Sequence, residues 1–502
     1  MKRARKKRFV AALLQPIWAQ ILFALALLQL SGCVVGPNYH TPAAQISSVY
    51  KEAEGWKPAA PNDQKLGGDW WTVFQDPELN DLELQVNVSN QNLKGAEAQY
   101  REARAALRYA RADYYPTLTA GLSADRQRIS SNRPPQNSIF NGITENDFVL
   151  PFDLSYEADV WGRVRRTVEA AREQAQASAA DLATVNLSMH ADLAIDYFQA
   201  RSLDAQEQLL NSTVTQYEQA LTLNENRFQG GLSSEVEVQQ ARTQLETTRA
   251  MAIDVGVLRA QYEHAVAILI GKPPAEFSLP PLPLNTLPPP IPINVPSELL
   301  ERRPDIAAAE RRVAAVNAQI GVAKSAYYPV ISLSASGGFE SFSITSLLNG
   351  PSGLWSVGAS ALGTVFDAGR RHAFTDEARA AYDNEVATYR ESVLTGFQQV
   401  EDNLAALRIL ENEAGVQDQA VTAAQSSLNL SITRYNGGVT SYLEVTVAQS
   451  AALSDEVTAV NILGRRMANT VLLIQALGGG WDRSSLPERP ECCGKLVSSN
   501  SN

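Results

Sequence analysis

An internal duplication constrains this sequence of 502 residues more than any other feature. The motif Tyr-Tyr-Pro at 114–116 returns at 327–329, an offset of 213 residues. Arg-Phe-Gln-Gly-Gly at 227–231 returns as Arg-Tyr-Asn-Gly-Gly at 434–438, an offset of 207. The sequence therefore predicts two repeats, 76–274 and 297–480, whose lengths differ at one variable loop. The connector between them, 275–296, is rich in proline, which excludes a helix or an interior strand.

Each half predicts two amphipathic strands after its Tyr-Tyr-Pro motif. Apolar and polar residues alternate strictly from Phe148 to Val160, with Asp153, Ser155 and Glu157 at polar positions. This period of two is typical of a strand with one apolar and one wet face. Segments of about ten residues with this pattern match the membrane-spanning strands of outer-membrane barrels. The four predicted strands are 117–125, 148–160, 330–340 and 354–366.

Helices are predicted before and after each pair of strands. Asp76-Pro77 offers an N-cap and an N1 proline, and Arg303-Pro304-Asp305 begins the matching helix of the second half. The stretch 164–229 contains no glycine or proline, and as a helix it spans about 100 Å. A glycine turn and a returning helix follow it in each half. A soluble coiled-coil protein would explain these helices but not four amphipathic strands at duplicated positions.

The number of strands predicts an oligomer. Four strands cannot close a barrel, and an open edge in lipid leaves backbone groups without hydrogen-bond partners. Two chains would give a barrel too narrow for a lumen, whereas three chains give twelve strands and an open one. The expected fold is therefore mainly α with a small β-barrel portion: a long-helix tunnel with four membrane strands per chain, twelve in a trimer.

The N-terminus predicts an exported lipoprotein. Six basic residues precede an apolar run, which ends at Leu30-Ser31-Gly32-Cys33. This order is typical of a secretory signal, and its last four residues resemble the bacterial lipoprotein signal. We therefore expect a signal peptide at 1–32, a covalent lipid on Cys33 and a lipid-anchored segment at 33–75; the alternative is an uncleaved anchor. Val34 in place of an aspartate favours the outer membrane, by resemblance to lipoprotein sorting rules. The six basic residues are Lys2, Arg3, Arg5, Lys6, Lys7 and Arg8.

Composition and motifs exclude several classes of function. Removal of the basic signal lowers the formal net charge from −11 to −17, which disfavours nucleic-acid binding. The four histidines are scattered, and no HExxH, Walker A, GxGxxG or CxxC motif is present. Cys492 and Cys493 lie in a polar tail, 481–502, that we expect to be disordered. The sequence predicts neither an enzyme, nor a metal site, nor any cofactor besides the lipid.

The chain resembles the TolC/OprM family of outer-membrane efflux proteins, particularly the lipoprotein branch that serves RND-type pumps. This resemblance implies a homotrimer with a twelve-stranded barrel and a periplasmic helical tunnel. It also implies docking onto a periplasmic adaptor protein and an inner-membrane pump of the RND type. The motifs that carry it are Gly-Pro-Asn-Tyr at 36–39, Trp70-Trp71 with Phe74 and Asp76-Pro77, and Leu-Leu-Glu-Arg-Arg-Pro-Asp-Ile at 299–306.

The same resemblance implies two kinds of functional residue. The family often has Asp where Val447 stands, so we expect Glu444 to supply the acidic ring of the gate and Leu443 an apolar constriction. A packing role for Leu443 in the coiled coil is the alternative. The expected gate residues are Tyr442, Leu443, Glu444 and Val447. The expected adaptor-docking turns are Gly230, Gly231, Leu232 and Ser233, and Gly437, Gly438, Val439 and Thr440.

Two functions follow from these expectations. The first is a passive exit duct, the outer-membrane channel of a tripartite efflux system that carries small molecules from the periplasm or cytoplasm to the exterior. The second is a lipid-anchored periplasmic coiled-coil scaffold without transport activity. The strands favour the duct, because a scaffold does not require them.

Overall fold

The computed structural model describes most of the chain. The signal segment, Cys33, Cys492 and Cys493 lie outside the described residues, so their predicted roles stay predictions. No helix in the described part is both long enough and apolar enough to cross a membrane. The described residues are 34–45, 49–52, 68–132, 142–291 and 299–487.

The two halves contain the same series of elements. Each has a broken helix, antiparallel strands, a helix of 67 residues and a returning helix of 35 residues. The elements of the first half are α1 (Pro77–Ser89), α2 (Gln91–Ala112), β1 (Thr117–Ala120), β2 (Ser123–Arg128), β3 (Thr144–Ala158), α3 (Arg163–Gln229) and α4 (Glu235–Leu269). Those of the second half are α5 (Leu299–Arg302), α6 (Pro304–Ser325), β4 (Val330–Ser341), β5 (Gly353–Leu362), α7 (Arg370–Asn436) and α8 (Tyr442–Ala476).

The helix that begins each half is interrupted. Asp76 caps α1 as predicted, because its carboxylate accepts hydrogen bonds from the backbone N–H groups of Glu78 and Leu79 at 3.0 and 3.1 Å. In the first half the single helix expected up to the Tyr-Tyr-Pro motif is wrong, since the chain leaves helical geometry at Asn90. The Asn90 side chain accepts a hydrogen bond from the backbone N–H of Leu93 at 3.0 Å and so starts a new helix. In the second half the helix expected from Pro304 up to this motif is confirmed, since α6 runs unbroken to Ser325.

One antiparallel sheet contains all the strands, in the order β1-β3-β4-β5. Both β1 and β2 pair with β3 in one continuous register, so they are two parts of the predicted first strand, interrupted at Gly121 and Leu122. Directly paired residues share a face. One face therefore carries apolar rows such as Leu118–Leu154–Ala335–Val357, and the other carries polar rows such as Thr119–Asp153–Ser336–Ser356.

The chain divides into two compact units. The first contains the sheet and the helix ends nearest to it, and the second contains the helical turns and the largest hydrophobic core. The first unit comprises Met1–Pro42, Glu102–Ala175 and Arg311–Ala387, and the second comprises Ala43–Arg101, Gln176–Glu310 and Thr388–Asn502. The core of the second unit includes Trp70, Trp71, Phe74, Leu79, Tyr197, Phe198, Ile270, Leu404, Met467 and Ile474.

Buried charges fix the proline-rich connector in the second unit. The Asp204 carboxylate accepts a hydrogen bond from the backbone N–H of Leu282 at 2.9 Å. It also forms ion pairs with Arg201 and Arg259, each at 3.1 Å. Arg259 in turn donates to the carbonyl oxygen of Leu279. Residues 277–291 of the connector form no helix or strand, and these charged groups hold them in place.

Part of the predicted disordered tail is packed. Residues 481–487 include a short 3-10 turn, and the Arg483 guanidinium lies 3.1 Å from the Glu310 carboxylate. The Gln176 side chain donates to the Pro487 carbonyl at 3.0 Å. The predicted start of the tail at 481 is therefore wrong. Sequence reasoning missed this contact because its partners lie far away along the chain.

Candidate docking turns and gate

The two glycine turns have the same backbone. In the first, Gly231 N–H donates to Phe228 O at 2.9 Å and Leu232 N–H donates to Arg227 O at 2.7 Å. In the second, the equivalent bonds run from Gly438 to Tyr435 at 3.0 Å and from Val439 to Arg434 at 2.9 Å. This pair of bonds is the Schellman motif, which satisfies carbonyl groups at the end of a helix.

Only one glycine of each turn is conformationally required. Gly231 and Gly438 both have φ of +71°, which penalises any other L-residue, although a Cβ at either site would meet no atom within 4 Å. Gly230 and Gly437 have no positive φ, and a Cβ at either would make only ordinary contacts. Gly231 and Gly438 are therefore required because of their backbone conformation, and not because a side chain would lack space.

An exposed apolar row runs from each turn onto the returning helix. Leu232 and Val236 are more than half exposed beside the first turn, as are Val439, Leu443 and Val447 beside the second. Ser233 and Thr440 are partly buried. Sequence reasoning missed Val236, although the offset of 207 aligns it with Leu443. Exposed apolar residues at matching places favour contact with another protein.

Glu444 is not a free carboxylate in this chain. Its Oε1 lies 3.0 Å from the Arg434 guanidinium, and its Oε2 accepts a hydrogen bond from the Thr440 hydroxyl. These contacts join the end of α7 to the start of α8 across the turn. The charge expected of Glu444 is therefore largely balanced within the chain.

Tyr442 lies inside the chain rather than on its surface. Its ring packs edge-on against Tyr435, with centroids 5.2 Å apart, in a small cluster that includes Ala241 and Val445. Burial raises the pKa of Tyr442 to about 12. Of the four predicted gate residues, Leu443 and Val447 are exposed and Glu444 is ion-paired. Tyr442 is buried in the packing between the helices and does not present its side chain at the surface.

Tyr435 connects the two helical hairpins. Its hydroxyl donates to the fully buried Asn224 side chain and lies 3.2 Å from the Glu237 carboxylate, so it reaches both α3 and α4. Arg227 stacks over its ring at 4.5 Å. Burial, followed by the negative charge of Glu237, raises the pKa of Tyr435. No sequence motif identified this contact, because its members come from three different helices.

A groove lined mainly by residues with polar side chains lies beside the first turn. It has a volume of about 520 Å³ and lies between α4 and α8. Among the described residues that line it, Val236 is the only large apolar side chain, so the groove lacks the lining typical of a site that encloses a small molecule. The lining residues are Glu235, Val236, Gln239, Gln240, Thr243, Gln244 and Thr446.

The polar face of the sheet is acidic. Asp125 lies directly opposite Asp147, and Glu340 lies opposite Val149, so their side chains share a face. Asp153 and Glu145 have the same parity on β3 as Asp147. In the part of the chain that the structure describes, these five carboxylates form no ion pairs. The same part holds no cluster of side chains with the composition of a metal site.

Comparisons with known proteins identify the class of molecule. The family model described as "Outer membrane efflux protein" matches residues 85–272 and 295–479, once in each half. The toluene efflux pump outer membrane protein TtgF of Pseudomonas putida is 32% identical over 468 residues, which cover 91% of this chain and 96% of TtgF. The cation efflux system protein CusC of Escherichia coli is 30% identical over 461 residues, covering 91% and 97%. The solved outer-membrane channel OprN has a TM-score of 0.84 and 28% identity, covering 89% of this chain and all of OprN.

Proposed function

This chain belongs to the outer membrane efflux protein family and is the outer-membrane channel of an efflux system; from this premise we propose that three copies form one passive exit duct. The observation that carries the proposal is the sheet with two open edges. The unpaired edge of β5 runs antiparallel to β1 and β2 at the other edge, so one copy can pair with the next. Unpaired edges in lipid are costly, and closure removes them.

The size of the assembly follows from the number of strands. Counting β1 and β2 as one strand, each chain supplies four. Three chains give twelve, which leaves an open lumen, whereas the eight strands of two chains are filled by side chains. The apolar face of the sheet then contacts lipid, and the polar face with its five carboxylates lines the passage.

Transport through this duct is passive. The duct binds a periplasmic adaptor protein, which links it to an inner-membrane pump of the RND type that supplies the energy. The chain itself catalyses no reaction and needs no cofactor other than a lipid on Cys33. That lipid, together with the barrel, anchors the trimer in the outer membrane.

The glycine turns are the adaptor-docking surface, and the start of α8 forms the gate. Leu232 and Val439 are exposed beside the turns, where a partner can cover them. Leu443 and Val447 are exposed on one side of α8, four residues apart, and so form one apolar strip. In a closed trimer, three such strips narrow the passage.

The substrate is set by the pump and not by the duct. The relatives carry names as different as toluene efflux and cation efflux, at similar identity to this chain. A wide polar passage without an enclosed apolar pocket discriminates little among small molecules. We therefore propose small molecules as the cargo, without a dedicated binding pocket in this chain.

Channel recording separates the duct from a lipid-anchored scaffold. Purified protein is reconstituted in planar bilayers, and outer-membrane extracts are tested for heat-resistant trimers. Discrete conductance steps from a trimeric species are expected of the duct. Monomeric protein without conductance, in a strain where deletion leaves export unchanged, would establish the scaffold instead.

A further inference from the structure

The six residues that follow Cys33, residues 34–39, form a strap that is bound to the first unit. Val35 N–H donates to Trp161 O at 3.1 Å. The Arg166 guanidinium donates to the carbonyl oxygens of Val35 and Gly36 at 3.3 and 3.4 Å, and to the Asn38 side chain at 3.1 Å. The strap is therefore held by several hydrogen bonds and is not a free tether.

The groove beneath the strap is shaped to receive it. Gly36 has φ of +104°, and a Cβ there would lie 2.5 Å from the Cα of Gly321. A Cβ on Gly162 would lie 3.1 Å from the Cα of Val34. Arg166 is only 3% exposed. Glu169, on the same helix, pairs with the charge of Arg166 at 2.8 Å, and the strap supplies the other hydrogen-bond acceptors of this buried guanidinium. The contact points leave no space for side chains.

The duplication shows that the helical repeat does not itself require this groove. The counterpart of Gly162 is Gly369, which has a similar φ of +87° but has no atom within 4 Å of a Cβ position. The counterpart of Arg166 is Ala373, and that of Gly321 is the exposed Arg108. Since the equivalent helices of the opposite halves form with Ala373 in place of Arg166 and with Arg108 in place of Gly321, the repeat does not need these residues, and the strap explains them.

The strap ends beside a row of aromatic residues at the strand termini. Trp161 follows β3; its ring stacks on Tyr328 with centroids 4.7 Å apart, and its indole N–H donates to Pro329 O at 2.8 Å. Tyr115, two residues before β1, and Phe366, four residues after β5, are largely exposed. Aromatic residues in such places mark the interface between lipid and water. Cys33 lies two residues before Val35, within about 7 Å along the chain.

We propose that the strap is a positioning device for the lipid. This role depends on the proposed acylation of Cys33. The strap fixes the acyl chains beside the aromatic residues of their own sheet, so that lipid and strands enter the membrane as one unit. A docked strap raises the effective concentration of the acyl chains at that place far above the value for a flexible tether. Arg166 is its positioning residue, and efficient assembly of the trimer depends on docking.

A matched pair of glycine substitutions tests this proposal in the full-length chain. Gly162→Val and Gly369→Val share the cost of a positive φ, but only Gly162→Val pushes against the strap. Chymotryptic cleavage after Tyr39 is measured in purified trimers, with palmitate labelling and the yield of heat-resistant trimers measured in parallel. We expect cleavage about tenfold faster in Gly162→Val than in Gly369→Val, because crowding favours local opening. Gly36→Ala, a change within the strap itself, gives the same result if Gly162→Val fails to fold.

A chain carrying Cys33→Ala, exported with a signal that does not direct acylation, completes the test. We expect its trimer yield to fall about as far as that of Gly36→Ala, with the double variant no lower. Full acylation and a normal trimer yield in Gly36→Ala, together with a reduced yield in Cys33→Ala, would overturn the positioning role. Equal cleavage rates in the two valine variants would do the same. Palmitate label that persists in Cys33→Ala would instead overturn the lipid assignment on which the proposal rests.

Discussion

The two glycine turns have one backbone and two different sets of side-chain contacts. The second turn is closed by the pair of Arg434 and Glu444. The counterparts in the first turn, Arg227 and Glu237, do not pair with each other across their own turn but both contact Tyr435 of the second half. Duplication has therefore kept the hydrogen bonds that shape the turn and changed the side chains that decide what each turn contacts.

The largest effects are expected where the two turns are alike. Gly231→Val and Gly438→Val should each cost about 2 kcal/mol, because a β-branched residue is strained at positive φ. Trimers should still form, since the membrane strands are remote in sequence, but export should fall severely in both variants. Minimum inhibitory concentrations of exported compounds in a deletion strain measure this loss.

The neighbouring glycine is the control for these variants. Gly437→Ala introduces a Cβ with ordinary contacts at a position without positive φ, so export should remain near the wild-type level. Strong loss in Gly437→Ala, or loss in only one of the two valine variants, would show that the shared backbone is not what matters at the turns.

A second prediction replaces a residue of the second half with its counterpart from the first. Tyr435→Phe copies Phe228, which is 44% exposed, and removes the hydroxyl that contacts Asn224 and Glu237. Loss of this hydrogen bond to a buried side chain should cost about 1–2 kcal/mol and loosen the two hairpins. We expect a larger resting conductance in planar bilayers. Unchanged conductance would mean that the hairpins are held together by packing alone.

A third prediction concerns an acidic pair that only the first half carries. Burial, followed by the charge of Asp192, raises the pKa of Asp196 to about 6. The counterparts of these two residues are Gln399 and Asn403. Since the folded pKa lies above the unfolded value of about 3.9, stability should increase as the pH falls from about 6 to about 4.

Asp196→Asn makes the first half resemble the second at this position. It should raise the free energy of unfolding at pH 7 by an amount on the order of 1 kcal/mol after allowance for solvent screening, and with it the unfolding temperature. It should also flatten the dependence of stability on pH between about 4 and about 6. Thermal scans of the purified trimer at several pH values measure both effects. If the stability of the variant still depends on pH in this range as it does in the wild type, then groups other than Asp196 cause that dependence.

The repeated elements were predictable from sequence because their signals are local. The strict alternation of apolar and polar residues predicted β3, and the absence of glycine and proline predicted α3. The ends of both elements were predicted to within a few residues. The break at Asn90 was not predicted, since a side chain that caps a helix also fits within one. The partner of Glu444 was missed because Arg434 lies ten residues earlier, across a turn, where helical periodicity does not apply. Burial of Tyr442 depends on contacts with three other helices, which no local pattern contains.

A fourth prediction tests whether the gate belongs to the second half alone. Leu443→Ala should increase the resting conductance, because it removes apolar volume from an exposed position near the proposed constriction. Its counterpart Val236 is exposed to a similar degree, beside the groove of the first turn. Val236→Ala should leave conductance unchanged and weaken docking of the adaptor instead. Equal conductance changes in both variants would mean that the exposed apolar residues beside both turns line the channel, and that the gate does not belong to the second half alone.

The smallest effect is expected from Glu444→Gln. A free carboxylate on each of three chains would form an acidic ring and favour cations, but Arg434 already balances this charge. Both side chains are partly exposed, so the pair contributes only about 0.2–1 kcal/mol, and its loss should shift the reversal potential in a salt gradient slightly. Glu237→Gln, the matched change in the first half, should have no effect on the reversal potential.

The carboxylates on the polar face of the sheet have no ion-pair partners in the described residues, so Asp153→Asn should reduce cation preference more than Glu444→Gln does. A larger shift in Glu444→Gln than in Asp153→Asn would mean that the pair with Arg434 opens in the trimer and that the ring at the second turn sets selectivity after all.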